Sequence, residues 1–229
     1  MSIAANLQLI HQRIDAACRR AGRDPKSVRL LAVSKTKPAA MIEEAARAGQ
    51  FLFGENYVQE FCAKAEVVQA PVEWHFIGAL QSNKVKYLRG KVALIHSVDR
   101  LSLAQEISRQ WQRLEKPANI LLEVNLGAEA SKAGSDAAGL AELAGQVSLL
   151  PGVRVRGLMA IPPWEADPEQ VRPYFRRLRQ LAAELAGQGL PNLEMAELSM
   201  GMSHDFEVAI EEGATLVRVG TAIFGERQR

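Results

Sequence analysis

The residue of this chain best placed for covalent chemistry is Lys35, in the stretch LLAVSKTKP, residues 30–38. A lysine held in a partly dry pocket has a lowered pKa, and its neutral amine can form a Schiff base with a carbonyl. Lysines at strand ends are more often solvated. Here Leu31, Val33 and Lys35 alternate onto one side of a strand, so the side that carries the amine is otherwise apolar. A second group of residues suits an anion. Ser199-Met200-Gly201-Met202-Ser203 and Arg218-Val219-Gly220-Thr221 each join glycine to hydroxyl side chains. Glycine lets backbone N–H groups approach a ligand, the hydroxyls add donors, and a helix start after each turn favours a phosphate. Either string alone is a weak motif, because any tight turn can use glycine.

Other chemistries fit the residues less well. The four histidines, His11, His75, His96 and His204, have neither paired nor clustered spacing, and no Cys-x-x-Cys occurs, so no metal site is expected. There is no Gly-x-Ser-x-Gly elbow and no Walker loop. His75 and His204 read as local hydrogen-bonding residues, and Trp74, Trp111 and Trp164 as packing residues. The charge-rich stretch 172–179 reads as the wet side of a helix.

The elements that must position Lys35 and the two turns follow from periodicity. Ile3, Leu7, Ile10, Ile14, Ala17 and Cys18 predict a first amphipathic helix, ended by Gly22. Strands are expected at 30–33, 50–53, 72–77, 92–97, 120–126, 153–161, 193–198 and 215–219. Helices are expected between them: 39–49, around 61–68, a short one that Ser82 could cap, one after Asp99 through Trp111, 136–149, 168–186, and 205–212. Asp99 could cap the fourth of these. Strands and helices alternate at roughly 25 to 30 residues per unit, with no linker, which predicts a single (β/α)8 TIM barrel spanning 1–229 with an extra N-terminal helix. An open doubly wound sheet is the alternative. In the barrel, the strand tips gather Lys35, Asn56, SMGMS and Arg218–Thr221 on one rim, where such folds bind ligands.

Composition sets bounds. Lys and Arg number 28 against 26 Asp and Glu, a net charge of +2, and no basic block stands out, so nucleic acid is not indicated. Two widely spaced cysteines, Cys18 and Cys62, suit reduced thiols. No apolar run approaches the roughly 20 residues of a membrane helix, and no secretory signal is apparent, so a cytoplasmic location is expected.

Seven strings, VSKTKP (33–38), FGENYVQE (53–60), WHFIGALQSNK (74–84), EASKAG (129–134), GLMAIPP (157–163), LSMGMSHDFEVAI (198–210) and VRVGTAIFGER (217–227), span almost the whole chain in order. Together they resemble the pyridoxal phosphate homeostasis proteins, which are similar to the N-terminal barrel of alanine racemase. The resemblance implies that Lys35 holds pyridoxal 5′-phosphate (PLP) as a Schiff base. It implies that Ser199, Met200 and Gly201, with Gly220 and Thr221, bind the phosphate, and that Arg218 faces the pyridine nitrogen. Asn56 and Ser203 are implied near the cofactor. Lys132 belongs to a motif of the family, but a solvated loop lysine fits it as well.

The same resemblance bears on catalysis. A PLP racemase needs proton carriers on both faces of the substrate carbanion. In alanine racemases one is a tyrosine of a C-terminal β-domain, which has no counterpart before Arg229. Arg218, donor-only and always charged, would leave the ring nitrogen unprotonated and the ring a poor electron sink. A PLP carrier or buffer without turnover is therefore expected, a monomer with apo PLP-dependent enzymes as recipients. Two alternatives stand beside it: a low-activity amino-acid racemase using Tyr57 or water as second base, and a barrel with a Schiff-base lysine but no PLP, as in aldolases.

Overall fold

Ser2 opens the first helix by accepting the Ala5 N–H on its hydroxyl, and one stripe of α1 (Ile3–Arg20), from Ile3 to Cys18, is buried as its spacing predicts. In the computed structural model, which describes residues 2–127, 134–135 and 138–226, α1 precedes eight strands. These are β1 (Arg29–Val33), β2 (Leu52–Glu55), β3 (Glu73–Phe76), β4 (Leu94–Val98), β5 (Ala118–Glu123), β6 (Val153–Met159), β7 (Leu193–Met202) and β8 (Leu216–Val219). The helices between and after them are α2 (Ala39–Arg47), α3 (Val58–Val67), α4 (Leu101–Trp111), α5 (Leu140–Ser148), α6 (Arg172–Ala186), α7 (Phe206–Glu211) and α8 (Thr221–Phe224). A 3-10 segment, Ser82–Tyr87, joins β3 to β4.

All neighbouring strands pair parallel and in chain order, and β8 returns to β1 from Arg29↔Leu216 to Ala32↔Val219, which closes the barrel. The expected (β/α)8 TIM barrel with its extra helix is the observed fold, and the open sheet is excluded by that last pairing. Alternation sorts the side chains. Phe53, Trp74, Phe76, Ile95 and Met200 turn outward into the large core beneath the helices, while Leu94, Leu121, Met159 and Leu216 form a small cluster inside the barrel. That inner cluster is a floor, and the cavity described below lies above it, at the carboxyl ends of the strands.

Several boundaries differ from the sequence reading, each for a local reason. β2 begins at Leu52 because Gln50 turns its amide to the carbonyls of Leu30 and Leu52. Ser82 lies inside its 3-10 segment and makes no capping bond, since Gln81 is the residue before it. Asp99 does not cap α4; its carboxylate instead pairs with Arg100 at 2.6 Å. The first turn of the helix expected at 168–186 is a 3-10 turn, Pro168–Val171, capped by Asp167. The largest difference is SMGMS. It is not a turn: β7 runs on through Met202, and only Ser203 leaves the strand. The loop carrying Lys132, and the helix start expected at Asp136, lie outside the described residues; α5 begins at Leu140.

Candidate functional site

Lys35 follows β1 after one residue, Ser34, in a turn that local contacts hold. Thr36 adopts a left-handed backbone, φ 63°, and its N–H donates to Glu60 Oε1 at 2.5 Å. The Lys37 ammonium donates to the carbonyls of Gly225 and Glu226 at 3.0 and 2.7 Å, which ties the loop to the far end of the chain. Behind the turn, Ser34 donates its hydroxyl to Glu55 Oε1 at 2.6 Å. The buried Lys64 ammonium donates to Ser34 O, Glu55 Oε1 and Glu60 Oε1, each at 2.7 Å. Burial pushes the Glu55 carboxyl above the usual range, and the Lys64 and Ser34 hydrogen bonds oppose that.

Lys35, half-buried, lines a cavity of about 250 Å³ with Asn56, Ser203, Arg218, Gly220 and Thr221. Val33, Ile77, Ile161, Met202 and His204 complete the wall. Six of the nine site residues expected from sequence therefore meet in one place. The other three lie elsewhere. Met200 is buried and faces the outer core. Gly201 has φ +89°, and a Cβ there would stand 2.6 Å from Ala209 Cβ, so this glycine is required by the close approach of α7 to β7. Ser199 lies within the barrel, its hydroxyl engaged by Arg218 and His96. These three are not among the residues that line the cavity.

Arg218 is the buried cation of the site, 4% exposed. Its Nη1 donates to Ser199 Oγ at 2.6 Å and its Nη2 to Ala160 O at 2.9 Å. Desolvation pulls its pKa down to about 10, against the opposing charges of Asp205 and Glu123. At the neighbouring turn, Ser203 Oγ accepts the Gly220 N–H at 3.4 Å, and Asp205 accepts the Met202 N–H at 2.6 Å. Asn56 Oδ1 is buried and has no hydrogen-bond partner among the described residues. A buried polar atom on a cavity wall calls for a ligand donor or a water. Gly220 presents bare backbone, and a Cβ there would crowd Val33 at 3.3 Å.

Sequence reasoning missed other participants besides Lys64 and Glu60. Glu123, on the inner face of β5, is pushed up to about 7 by burial and by Asp99, with Arg218 pulling the other way. His75 and His96, taken separately from sequence, are in direct contact at 2.9 Å. Their separation of 21 residues is one βα unit, and equal inward parity on adjacent strands was the available signal. Trp164 is not a packing residue: it is 74% exposed and stacks on His204 at 6.0 Å, beside the cavity. Tyr57, weighed as a proton carrier, is 55% exposed and lines no part of the cavity that holds Lys35. A larger pocket of about 380 Å³, lined by Arg29, Glu73, Arg154 and Glu197 among others, lies at the amino ends of the strands, the end that carries stability and not chemistry in this architecture.

No helix of the described residues is long and apolar enough to cross a membrane. Among them no group of three His, Cys, Asp or Glu could hold a metal ion.

Comparison with known proteins identifies the family. Residues 5–228 match the family model of the alanine racemase N-terminal domain. The chain is 51% identical over 229 residues to a pyridoxal phosphate homeostasis protein of Aquifex aeolicus, covering 100% of both chains. It is 47% identical to the protein of that name from Escherichia coli K12, over 98% of this chain and 97% of the relative. The solved structure of PipY from Synechococcus elongatus PCC7942, described with PLP bound, superposes with a TM-score of 0.85 at 42% identity, covering 98% of this chain and 100% of that one.

Proposed function

The chain belongs to the family of the alanine racemase N-terminal domain and, within it, to the pyridoxal phosphate homeostasis proteins; from that premise we propose that it holds PLP on Lys35 in the cavity at the carboxyl ends of the strands and serves PLP homeostasis as a carrier or buffer. The observation that carries the reading is convergence. An amine, a buried guanidinium, two hydroxyls and an unpartnered amide oxygen line one cavity of about 250 Å³. When bound, the cofactor supplies an aldehyde for the amine and a phosphate for hydrogen-bond donors.

The chain's own groups divide the work. Lys35 is the nucleophile, set on a turn that Glu60 and Lys64 hold from behind. Ser203, Gly220 and Thr221 are the donors for the phosphate, and Asn56 Oδ1 is the acceptor in need of a partner. Arg218, which can only donate, suits an unprotonated ring nitrogen. Ser199, Met200 and Gly201 support this wall from behind. Residues 1–229 act as one PLP-binding domain.

The same geometry supports binding without turnover. Proton transfer on both faces of a carbanion needs a second titrating group opposite the lysine. Of the other titratable side chains on the cavity wall, Arg218 is a poor base, and His204 turns its Nε2 to Ala166 O and stacks on Trp164. The reading extends to a monomer in the cytoplasm that hands PLP to apo PLP-dependent enzymes.

The test is optical and chemical. Protein incubated with PLP and freed of excess is expected to absorb in the near-visible. Borohydride should then fix the cofactor's mass on Lys35, and Lys35→Ala should show neither signal. Absorbance unchanged in Lys35→Ala, or the mass on another residue, overturns the assignment.

A further inference from the structure

A file of hydrogen-bonded side chains crosses the barrel from Arg218 to the opposite mouth. Arg218 Nη1 lies 2.6 Å from Ser199 Oγ, and Ser199 Oγ lies 2.9 Å from His96 Nδ1. His96 Nε2 stands 2.9 Å from His75 Nδ1, and His75 Nε2 stands 2.9 Å from Glu73 Oε1. His75, His96, Ser199 and Arg218 are buried, and Glu73 reaches solvent.

Only one placement of hydrogens satisfies every contact. Burial disfavours the charged form of both imidazoles, so each ring carries one N–H. The Glu73 carboxyl is held below its usual range by the His75 hydrogen bond and by the charge of Arg29, so it is ionised and can only accept. His75 must then carry its hydrogen on Nε2, which leaves its Nδ1 as an acceptor. His96 must in turn donate from Nε2 and accept on Nδ1. Ser199 gives its one hydrogen to His96 and accepts from Arg218, a donor-only group. The opposite order would set the bare His75 Nε2 against a carboxylate at 2.9 Å.

We propose that Ser199, His96, His75 and Glu73 form a one-way positioning relay that holds the Arg218 guanidinium in the orientation it presents to the cavity. A carboxylate at one mouth of the barrel thereby fixes a cation at the other. Ala160 O is the second anchor of Arg218, at 2.9 Å, and one anchor leaves the planar group free to swing. The consequence for a bound pyridine ring rests on the reading given above, but the relay itself does not.

The test begins with the protein free of PLP. At neutral pH, long-range 1H–15N spectra are expected to show His75 and His96 as neutral Nε2–H tautomers, and to resolve side-chain N–H signals of Arg218. The half-exposed Glu73 can be replaced without disturbing the core. Glu73→Leu should broaden the Arg218 signals, and Glu73→Gln, whose amide oxygen still accepts, should keep them. An Nδ1–H tautomer in either ring, or Arg218 signals indifferent to Glu73→Leu, overturns the relay. With PLP bound, Glu73→Leu and His96→Leu should shift the near-visible band and speed release of cofactor about tenfold, equivalent to about 1.4 kcal/mol, with Glu73→Gln like wild type. A band and release rate unchanged in both leucine variants also overturn it. Wild-type protein that carries no PLP on Lys35, yet shows the expected tautomers and Arg218 response, overturns the cofactor reading and leaves the relay standing.

Discussion

Lys64 Nζ and Glu55 Oε1 lie 2.7 Å apart with side chains only 7% and 0% exposed, directly behind the turn that carries Lys35. An ion pair so placed adds little net stability but is expensive to break from one side, because the remaining charge is buried without its counter-ion. Lys64→Met is therefore expected to lose about 3 to 5 kcal/mol in urea unfolding. Because the ammonium also holds Ser34 O, retention of PLP should fall as well. Glu55→Gln should be milder, since Glu60 still accepts from Lys64.

Glu123 makes stability depend on pH near neutrality. Its carboxyl is raised from an ordinary 4.5 to about 7, so the folded state binds the proton more tightly than the unfolded chain. The stabilisation is fully present below about pH 4.5 and is lost as pH rises through about 7. Glu123→Gln, which cannot ionise, is expected to exceed the wild type by up to about 3 kcal/mol at pH 8 and to match it near pH 4.5. Urea midpoints at the two pH values check this; a constant difference refutes it.

The two glycines of the closing strands should fail in different ways. In Gly201→Ala the new methyl meets Ala209 Cβ at 2.6 Å and Phe206 Cα at 2.9 Å, at φ +89°. A loss of about 1 to 3 kcal/mol or more in thermal or urea unfolding is expected. In Gly220→Ala the methyl meets Val33 at 3.2 to 3.3 Å beside the cavity. There the stability change should be small and the loss of PLP retention large, as dialysis of loaded protein would show.

Absence of turnover is tested with amino acids in deuterated water. Loaded wild-type protein is expected to leave the Cα hydrogens unexchanged over hours, as Lys35→Ala does. Exchange that depends on Lys35 would establish the racemase alternative.

The barrel was legible because each strand is a short apolar run ended by a polar or glycine residue, as at Val33-Ser34-Lys35 and Val219-Gly220-Thr221. The site's outline was legible for the same reason: Lys35, Asn56, Ser203, Arg218, Gly220 and Thr221 stand at or near strand tips, and the barrel brings such tips together. SMGMS misled because Ser, Gly and Met are as compatible with a strand as with a turn, and pairing of Met202 with Arg218 settles the matter only in three dimensions. His75 and His96 are not legible as a pair because contact between adjacent parallel strands spans a whole βα unit, far longer than helical or motif spacings. Glu123 was invisible because its pKa is a property of its surroundings.

Lys35 stands just after the first strand, and Arg218, Gly220 and Thr221 stand on or just after the last, which pairs with that first strand. A nascent chain still short of these residues has an amine with no opposite wall. On the proposed reading, capture of the cofactor waits until synthesis has passed β8, so newly made protein starts empty and draws on the same pool it is proposed to buffer.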